Sequence, residues 1–150
     1  MLRAFTPKDG PAVVDLAVAV GMFSREEAAF LDEALFADGA TCLIEDADDG
    51  AGLASVLLYR PEEAADRAFD LTMIAIRPDL QRGGRGAALM RHAERDLRGR
   101  GQRLLVVRTS GSSQYAGTRA FYRRLGYTEQ TRVADYWTDG DGLVLYTIRL

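Results

Sequence analysis

"IRPDLQRGGRGAALMRHAE", Ile76–Glu94, decides how the whole chain is read. It leaves an apolar run, passes Pro78, crosses the glycine-rich loop Gln81–Gly86 and enters a segment with helical spacing. The apolar run "FDLTMIAIRP", Phe69–Pro78, is expected to be a buried strand closed by Pro78, because proline cannot continue a ladder. Gly84–Arg98 reads as a helix whose Leu89, Met90, Ala93 and Leu97 share one face, with Gly99 and Gly101 ending it. "RLLVVRTS", Arg103–Ser110, is the next buried strand. Strand, helix and strand in that order predict a right-handed crossover joining two parallel strands.

The loop itself has a chemistry. A helix N-terminus carries unpaired N–H groups and about half a positive charge. Glycines before it let the backbone curl and leave room for an anion to come close. Arg82 and Arg85 are expected to add mobile positive charge, and the combination suits a pyrophosphate. Two common phosphate loops fit poorly. A P-loop needs lysine and a hydroxyl residue after its last glycine, and neither follows here. A dinucleotide fingerprint needs a third small residue where Leu89 stands and an acid ending the next strand, which "RLLVVRTS" lacks.

Outward from this centre, Thr6, Pro7 and Asp9 have the makings of a helix start, with the helix running to about Val20. Ser24 and Glu27 form a capping box ahead of Ala28, Leu31, Leu35 and Phe36, which keep helical spacing. "TCLIE" from Thr41 and "LASVLLYR" from Leu53 are strand-like, joined by the hairpin turn "DADDGAG". After the crossover come a helix over about Tyr115–Leu125, stopped by Gly126, and two strands, Tyr127–Trp137 and "LVLYTIRL", joined by "TDGDG". No repeat or interdomain linker interrupts the 150 residues, so one α/β domain spanning 1–150 is expected.

Composition narrows the function. With 47% apolar and 27% charged residues the chain is ordinary for a globular protein, and its net charge of −3 argues against general nucleic-acid binding. One cysteine, Cys42, allows no internal disulfide, and with one histidine, His92, no metal site is expected. The most apolar window, "PAVVDLAVAVGMF", is too short to span a bilayer, and "MLRAFTPKDG" lacks the pattern of a signal peptide. The expectation is a cytoplasmic protein with no nucleic-acid or membrane partner.

Two motifs then resemble one family. The loop Gln81, Arg82, Gly83, Gly84, Arg85, Gly86 follows the [QR]-x-x-G-x-[GA] pattern of the GNAT superfamily of acyl-CoA-dependent N-acetyltransferases. About forty residues later "TRAFYRRLGY", Thr118–Tyr127, is similar to the family's A-x-x-F-Y-x-x-x-G-F/Y helix. The chain departs from the commoner loop Q-G-R-G-x-G by carrying Arg82, and it has Tyr115 where many members have asparagine. The resemblance covers the whole chain. It implies a single-domain mixed sheet, mostly antiparallel, with the parallel strand–helix–strand motif and flanking helices.

It also implies acetyl-CoA as co-substrate, cradled by Gln81, Arg82, Gly83, Gly84, Arg85, Gly86 and Ala87, with the backbone of Ile74, Ala75 and Ile76 binding the pantetheine arm. Tyr122 is then expected as general acid to the leaving sulfur, with Phe121 turned to the core, since adjacent helical residues point about 100° apart. Asp70, on the strand face shared with Thr72, Ile74 and Ile76, is expected as a base or as an electrostatic lure for the acceptor. Asp135, Tyr136 and Trp137 are expected to line the pocket of a small-molecule or peptide amine. Arg77, Arg119, Arg123 and Arg124 could reach the nucleotide phosphate but read first as solvated surface charges. Transfer would be direct, in a ternary complex, in a monomer or homodimer. The rival readings are an inactive acyl-CoA-binding regulatory domain and an acyltransferase using another acyl-CoA donor.

Overall fold

Phe69 to Ile76 alternates in exposure as a strand with two different faces must. Phe69, Leu71, Met73 and Ala75 are buried, while Asp70, Thr72, Ile74 and Ile76 are half-buried on the other side. In the computed structural model, which describes residues 1–150, this strand is central to a seven-stranded sheet. The strands are β1 (Leu2–Ala4), β2 (Thr41–Asp46), β3 (Leu53–Pro61), β4 (Ala68–Ile76), β5 (Leu104–Ser110), β6 (Thr128–Thr138) and β7 (Asp141–Arg149). Their order is β1-β2-β3-β4-β5-β7-β6. β4 and β5 run parallel from Ala68↔Leu104 to Leu71↔Val107, while β1/β2, β2/β3, β5/β7 and β6/β7 run antiparallel. Four helices accompany them: α1 (Gly10–Ala19), α2 (Leu31–Leu35), α3 (Arg85–Gly99) and α4 (Ala116–Arg124). This is the expected mixed α/β fold, with its parallel crossover through α3.

The chain divides into two compact units, Met1–Arg60 with Thr72–Ala93 and Pro61–Leu71 with Glu94–Leu150. The first has a core of Val13, Leu16, Ala17, Leu31, Leu35, Ile44, Val56, Leu58, Met73 and Ala75. Each large aliphatic side chain buried there contributes roughly 1.5–3 kcal/mol. Both expected caps form. Glu27 and Ser24 exchange backbone-to-side-chain bonds at 3.1 Å. Asp9 Oδ2 accepts from the Thr6 N–H at 2.8 Å and the Thr6 hydroxyl at 2.9 Å. The turn opened by Pro7 is a 3₁₀ turn, Pro7–Asp9, and the α-helix proper begins at Gly10. The second helical segment is likewise a 3₁₀ turn, Glu27–Phe30, running into the short α2, and Phe36 is exposed. In the second unit, β6 is an edge strand exposed along its whole length. No helix is long and apolar enough to cross a membrane.

Arg3 on β1 holds two acids at once. It meets Asp9 at 2.9 and 3.0 Å and Asp46 at 2.7 and 2.9 Å. The hydrogen bonds from Arg3 hold both carboxyls below the usual carboxylate range. A carboxyl whose folded value is depressed adds stability that is complete above its unfolded value, about 3.9, and is lost as pH falls through the folded value. Asp9→Asn should therefore lower stability at neutral pH and flatten the decline in acid. Urea unfolding at neutral and acid pH measures both effects, and an unchanged acid slope in the variant would assign the acid sensitivity elsewhere.

Candidate active site

The loop after β4 turns left-handed twice. β4 ends with the Arg77 N–H bonded to the Ala54 carbonyl at 2.9 Å, and a 3₁₀ turn over Pro78–Leu80 follows. The Gln81 side chain then reaches back, its Nε2 donating to the Ile76 carbonyl at 3.0 Å. Arg82 and Gly84 take φ values of +67° and +80°. The Gly84 carbonyl accepts the Ala88 N–H at 3.1 Å, so α3 starts with the N–H groups of Arg85, Gly86 and Ala87 unclaimed by its own ladder. A Cβ built on Gly84 meets nothing within 4 Å, and one on Gly83 only the Leu80 carbonyl at 4.0 Å. Bare N–H groups, the positive end of a helix dipole and open space beside glycine backbone fit a pyrophosphate.

The arginines flanking the loop differ from expectation. Arg85 is tied to Glu45 on β2, Nη1 to Oε2 at 2.6 Å, rather than mobile. That bond comes first among the causes that hold the Glu45 carboxyl below its ordinary range. Arg77 is clamped by Asp49 at 3.0 Å and Asp79 at 2.7 Å. Arg82 alone is exposed and unpaired. The first unit thus brings Gln81–Ala87 together with the end of β4.

In the second unit Asp70 is in an ion cluster. Arg108 on β5 reaches Asp70 Oδ1 through Nη1 at 2.5 Å and Glu62 Oε2 through Nη2 at 2.7 Å. Burial pulls the Arg108 guanidinium down, but the Glu62 bond and the charges of Asp70 and Glu62 outweigh it and raise it above its usual value. The Tyr136 phenol lies within electrostatic reach of Arg108. Tyr136 and Trp137 are about half exposed, at 49% and 47%, and meet edge to face at 4.9 Å. The Trp137 indole N–H donates to the Thr109 carbonyl of β5 at 3.3 Å. A bulge makes this possible: the β6/β7 register jumps between Val133↔Leu143 and Thr138↔Asp141. Asp135 sits in that bulge at φ +55°, its Oδ1 accepting the Gly140 N–H at 2.6 Å. Its carboxylate is therefore engaged in shaping the hairpin. A Cβ on Gly142, opposite the bulge, would meet the Val133 carbonyl at 3.0 Å.

Tyr122 and Phe121 exchange the surroundings expected of them. Tyr122 is 3% exposed, packed near Tyr127 at 5.6 Å and Tyr146 at 5.9 Å, whereas Phe121 is half-buried. Helical geometry does separate the two side chains, but it does not say which one faces inward. Loss of solvation raises the Tyr122 phenol above its ordinary value, so it keeps its proton. Glu94, buried on α3, accepts from the Tyr127 hydroxyl at 3.3 Å. Arg119 is no free surface charge either: it donates to the Ser110 and Ser112 carbonyls at 2.9 and 2.7 Å, tying α4 to the end of β5.

The family description "Acetyltransferase (GNAT) domain" matches residues 37–129. The chain belongs to the GNAT acetyltransferase family. A solved protein from Desulfovibrio desulfuricans assigned to that GNAT family is 30% identical, with a TM-score of 0.90 over 99% of this chain and 98% of the other. A ribosomal-protein alanine N-acetyltransferase from Escherichia coli is 21% identical, with a TM-score of 0.82 over 99% and 92%. An aminoglycoside 6'-N-acetyltransferase solved with coenzyme A is 13% identical, with a TM-score of 0.79 over 99% and 96%. Both are alike in fold. No curated protein matches the sequence significantly.

Sequence reasoning missed Glu62 and Arg108. The available signal was the charge itself, since an arginine inside the apolar run "RLLVVRTS" needs partners. The loop carries a similar signal, because Arg82 occupies a left-handed position where the commoner GNAT loop has glycine. A side chain there costs roughly 1–2 kcal/mol, and glycine would return about 0.4–1 kcal/mol of that through a freer unfolded chain. Arg82→Gly should therefore stabilise the fold by roughly 0–1.6 kcal/mol in urea unfolding. A destabilised variant would show that the Arg82 side chain holds the loop.

Proposed function

We propose that this GNAT protein is an N-acetyltransferase that moves the acetyl group of acetyl-CoA directly to a primary amine, both substrates being bound together. The observation that carries the reading is the left-handed loop at the start of α3, with open space beside Gly84. On this reading the backbone N–H groups of Gly83 to Ala87, with Gln81 and Arg82, hold the pyrophosphate. The edge of β4 at Ile74, Ala75 and Ile76 offers backbone groups to the pantetheine arm as an added strand would. Acetyl-CoA supplies the activated carbonyl. The amine nitrogen bonds to that carbon, the carbon–sulfur bond breaks, the sulfur takes a proton and the nitrogen releases one.

Tyr122 is the proposed donor of that proton. What supports the role is the match of Tyr122 to the tyrosine of the family's helix motif; a phenol carries its proton at neutral pH, and burial, by raising it further, makes it a weaker acid. For Asp70, the bond to Arg108 supports an electrostatic role over that of a free base. Asp70 and Glu62 are two carboxylates held by one guanidinium, beside the half-exposed Tyr136 and Trp137. Carboxylates beside aromatic faces favour a cationic amine as acceptor, with Asp135 shaping the hairpin that presents the rings.

Thermal unfolding with CoA and thiol release from acetyl-CoA over an amine panel test the proposal. CoA at a hundredfold excess over its dissociation constant should stabilise the protein by about 2.7 kcal/mol. Gly84→Asp should abolish that gain by filling the space with a negative charge. Tyr122→Phe should lower kcat roughly 10²–10⁴-fold with little change in the acetyl-CoA KM. CoA stabilisation without thiol release from any amine would leave an acyl-CoA-binding domain. Wild-type turnover in Tyr122→Phe would remove the tyrosine from the mechanism.

A further inference from the structure

Three arginines surround the proposed pyrophosphate loop, and two of them face away from it in charge terms. Arg77 and Arg85 line a cavity of about 140 Å³ with Glu45, Asp46, Asp48, Asp49, Ala54 and Leu80. Four carboxylates there outnumber the two guanidinium groups. Two of the four touch these arginines, Glu45 on Arg85 and Asp49 on Arg77, and Glu45 is the more enclosed of the two. Its side chain is 19% exposed, and Oε2 accepts from Arg85 at 2.6 Å and from the Ser55 hydroxyl at 3.0 Å. The N-terminal ammonium lies 3.3 Å from its other oxygen. Arg85 is the first residue of α3, so its own N–H belongs to the anion-binding end of the helix while its side chain is committed to β2.

We propose that Glu45 tunes cofactor affinity by withholding the Arg85 side chain from the pyrophosphate. Glu45 is a positioning residue here: it acts through Arg85 and touches no substrate. The inference rests on the pyrophosphate reading of the loop. Anion binding in the resting arrangement is carried by backbone N–H groups and by Arg82, and Glu45 keeps the charge of Arg85 neutralised. The consequence is a loop that binds and releases CoA more readily than its arginine content implies. Release matters for a protein that must exchange spent CoA for acetyl-CoA at every turnover.

Isothermal titration with CoA, and with pantetheine as a phosphate-free control, tests this. Glu45→Gln keeps the shape of the side chain but removes its charge and one of its two acceptor oxygens, so the charge of Arg85 is no longer neutralised. CoA should then bind two- to fivefold more tightly, the range expected of one partly exposed ion pair, and pantetheine should be unaffected. The Glu45→Gln/Arg85→Gln double variant should return to wild-type affinity. No gain in Glu45→Gln would overturn the proposal, and so would a gain that persists in the double variant, which would reflect the lost negative field alone. Should Glu45→Gln fail to fold, Arg85→Gln decides: less than a twofold loss of CoA affinity is expected, and a tenfold loss would show that Arg85 already serves the anion. Failure of the wild type to bind CoA at all would instead refute the pyrophosphate reading.

Discussion

The end of a strand and the bare N–H groups that open a helix are joined here by backbone that turns left-handed, and this turn sets the anion-facing end of α3. Between Ile76 and Arg85 the chain does so at Arg82 and Gly84. Gly84 accepts the conformation freely because it has no Cβ. Arg82 does not, and a non-glycine residue held there stores roughly 1–2 kcal/mol. What opposes that strain is local: the 3₁₀ turn at Pro78–Leu80 and the Gln81 side chain bonded to the Ile76 carbonyl. Gln81 takes up a carbonyl at the end of the strand and thereby fixes where the first turn of α3 begins. The open space beside Gly84 is a result of that geometry, not of a missing side chain alone.

Charge is organised by pairing. The net charge of −3 says little about the field at any one point, since exposed charges are screened beyond about 10 Å at 0.1 M salt. At shorter range the acids of β2 and the β2–β3 turn hold Arg3, Arg77 and Arg85, and Glu62 with Asp70 holds Arg108. The guanidinium fork suits this use because it can serve two carboxylates at once. Arg3, Arg77 and Arg108 each do so. Arg82, left unpaired, is consequently the charge by the loop that remains available to a ligand.

How much of this was legible depends on the range of the interaction. Period-two alternation in Phe69–Ile76 and the glycines bounding α3 are local, and they located β4 and α3 to within two residues at each end. Caps such as Ser24 with Glu27 are equally local and were readable in full. Arg108 and Glu62 lie 46 residues apart, and no spacing rule connects them. The β6 bulge was hidden for another reason: Asp135 has to adopt a left-handed φ that its residue type tolerates without announcing it. The inward face of α4 was not legible because "AFYRR" offers adjacent aromatic residues, and only packing against Tyr127 and Tyr146 selects Tyr122 for burial.

Burial also limits the chemistry that this chain can perform. Cys42 is its one thiol, and burial, with the charge of Asp9 adding to it, pushes that thiol up to about 12. At neutral pH almost none of it is thiolate, which is the reactive form. An acetyl group passed first to cysteine would need that thiolate, and the charged neighbour of Cys42 is an acid, which opposes its formation. Tyr122 is shifted the same way by the same cause, which keeps its phenol neutral and makes it a weaker acid than an exposed tyrosine. On the proposed reading, a chain without an activated nucleophile must draw its rate from holding two substrates in register, a contribution worth as much as about 7–11 kcal/mol of a barrier. On that reading the turn at Arg82 and Gly84 would hold the donor, while the Trp137–Thr109 bond restrains the half-exposed aromatic pair of β6.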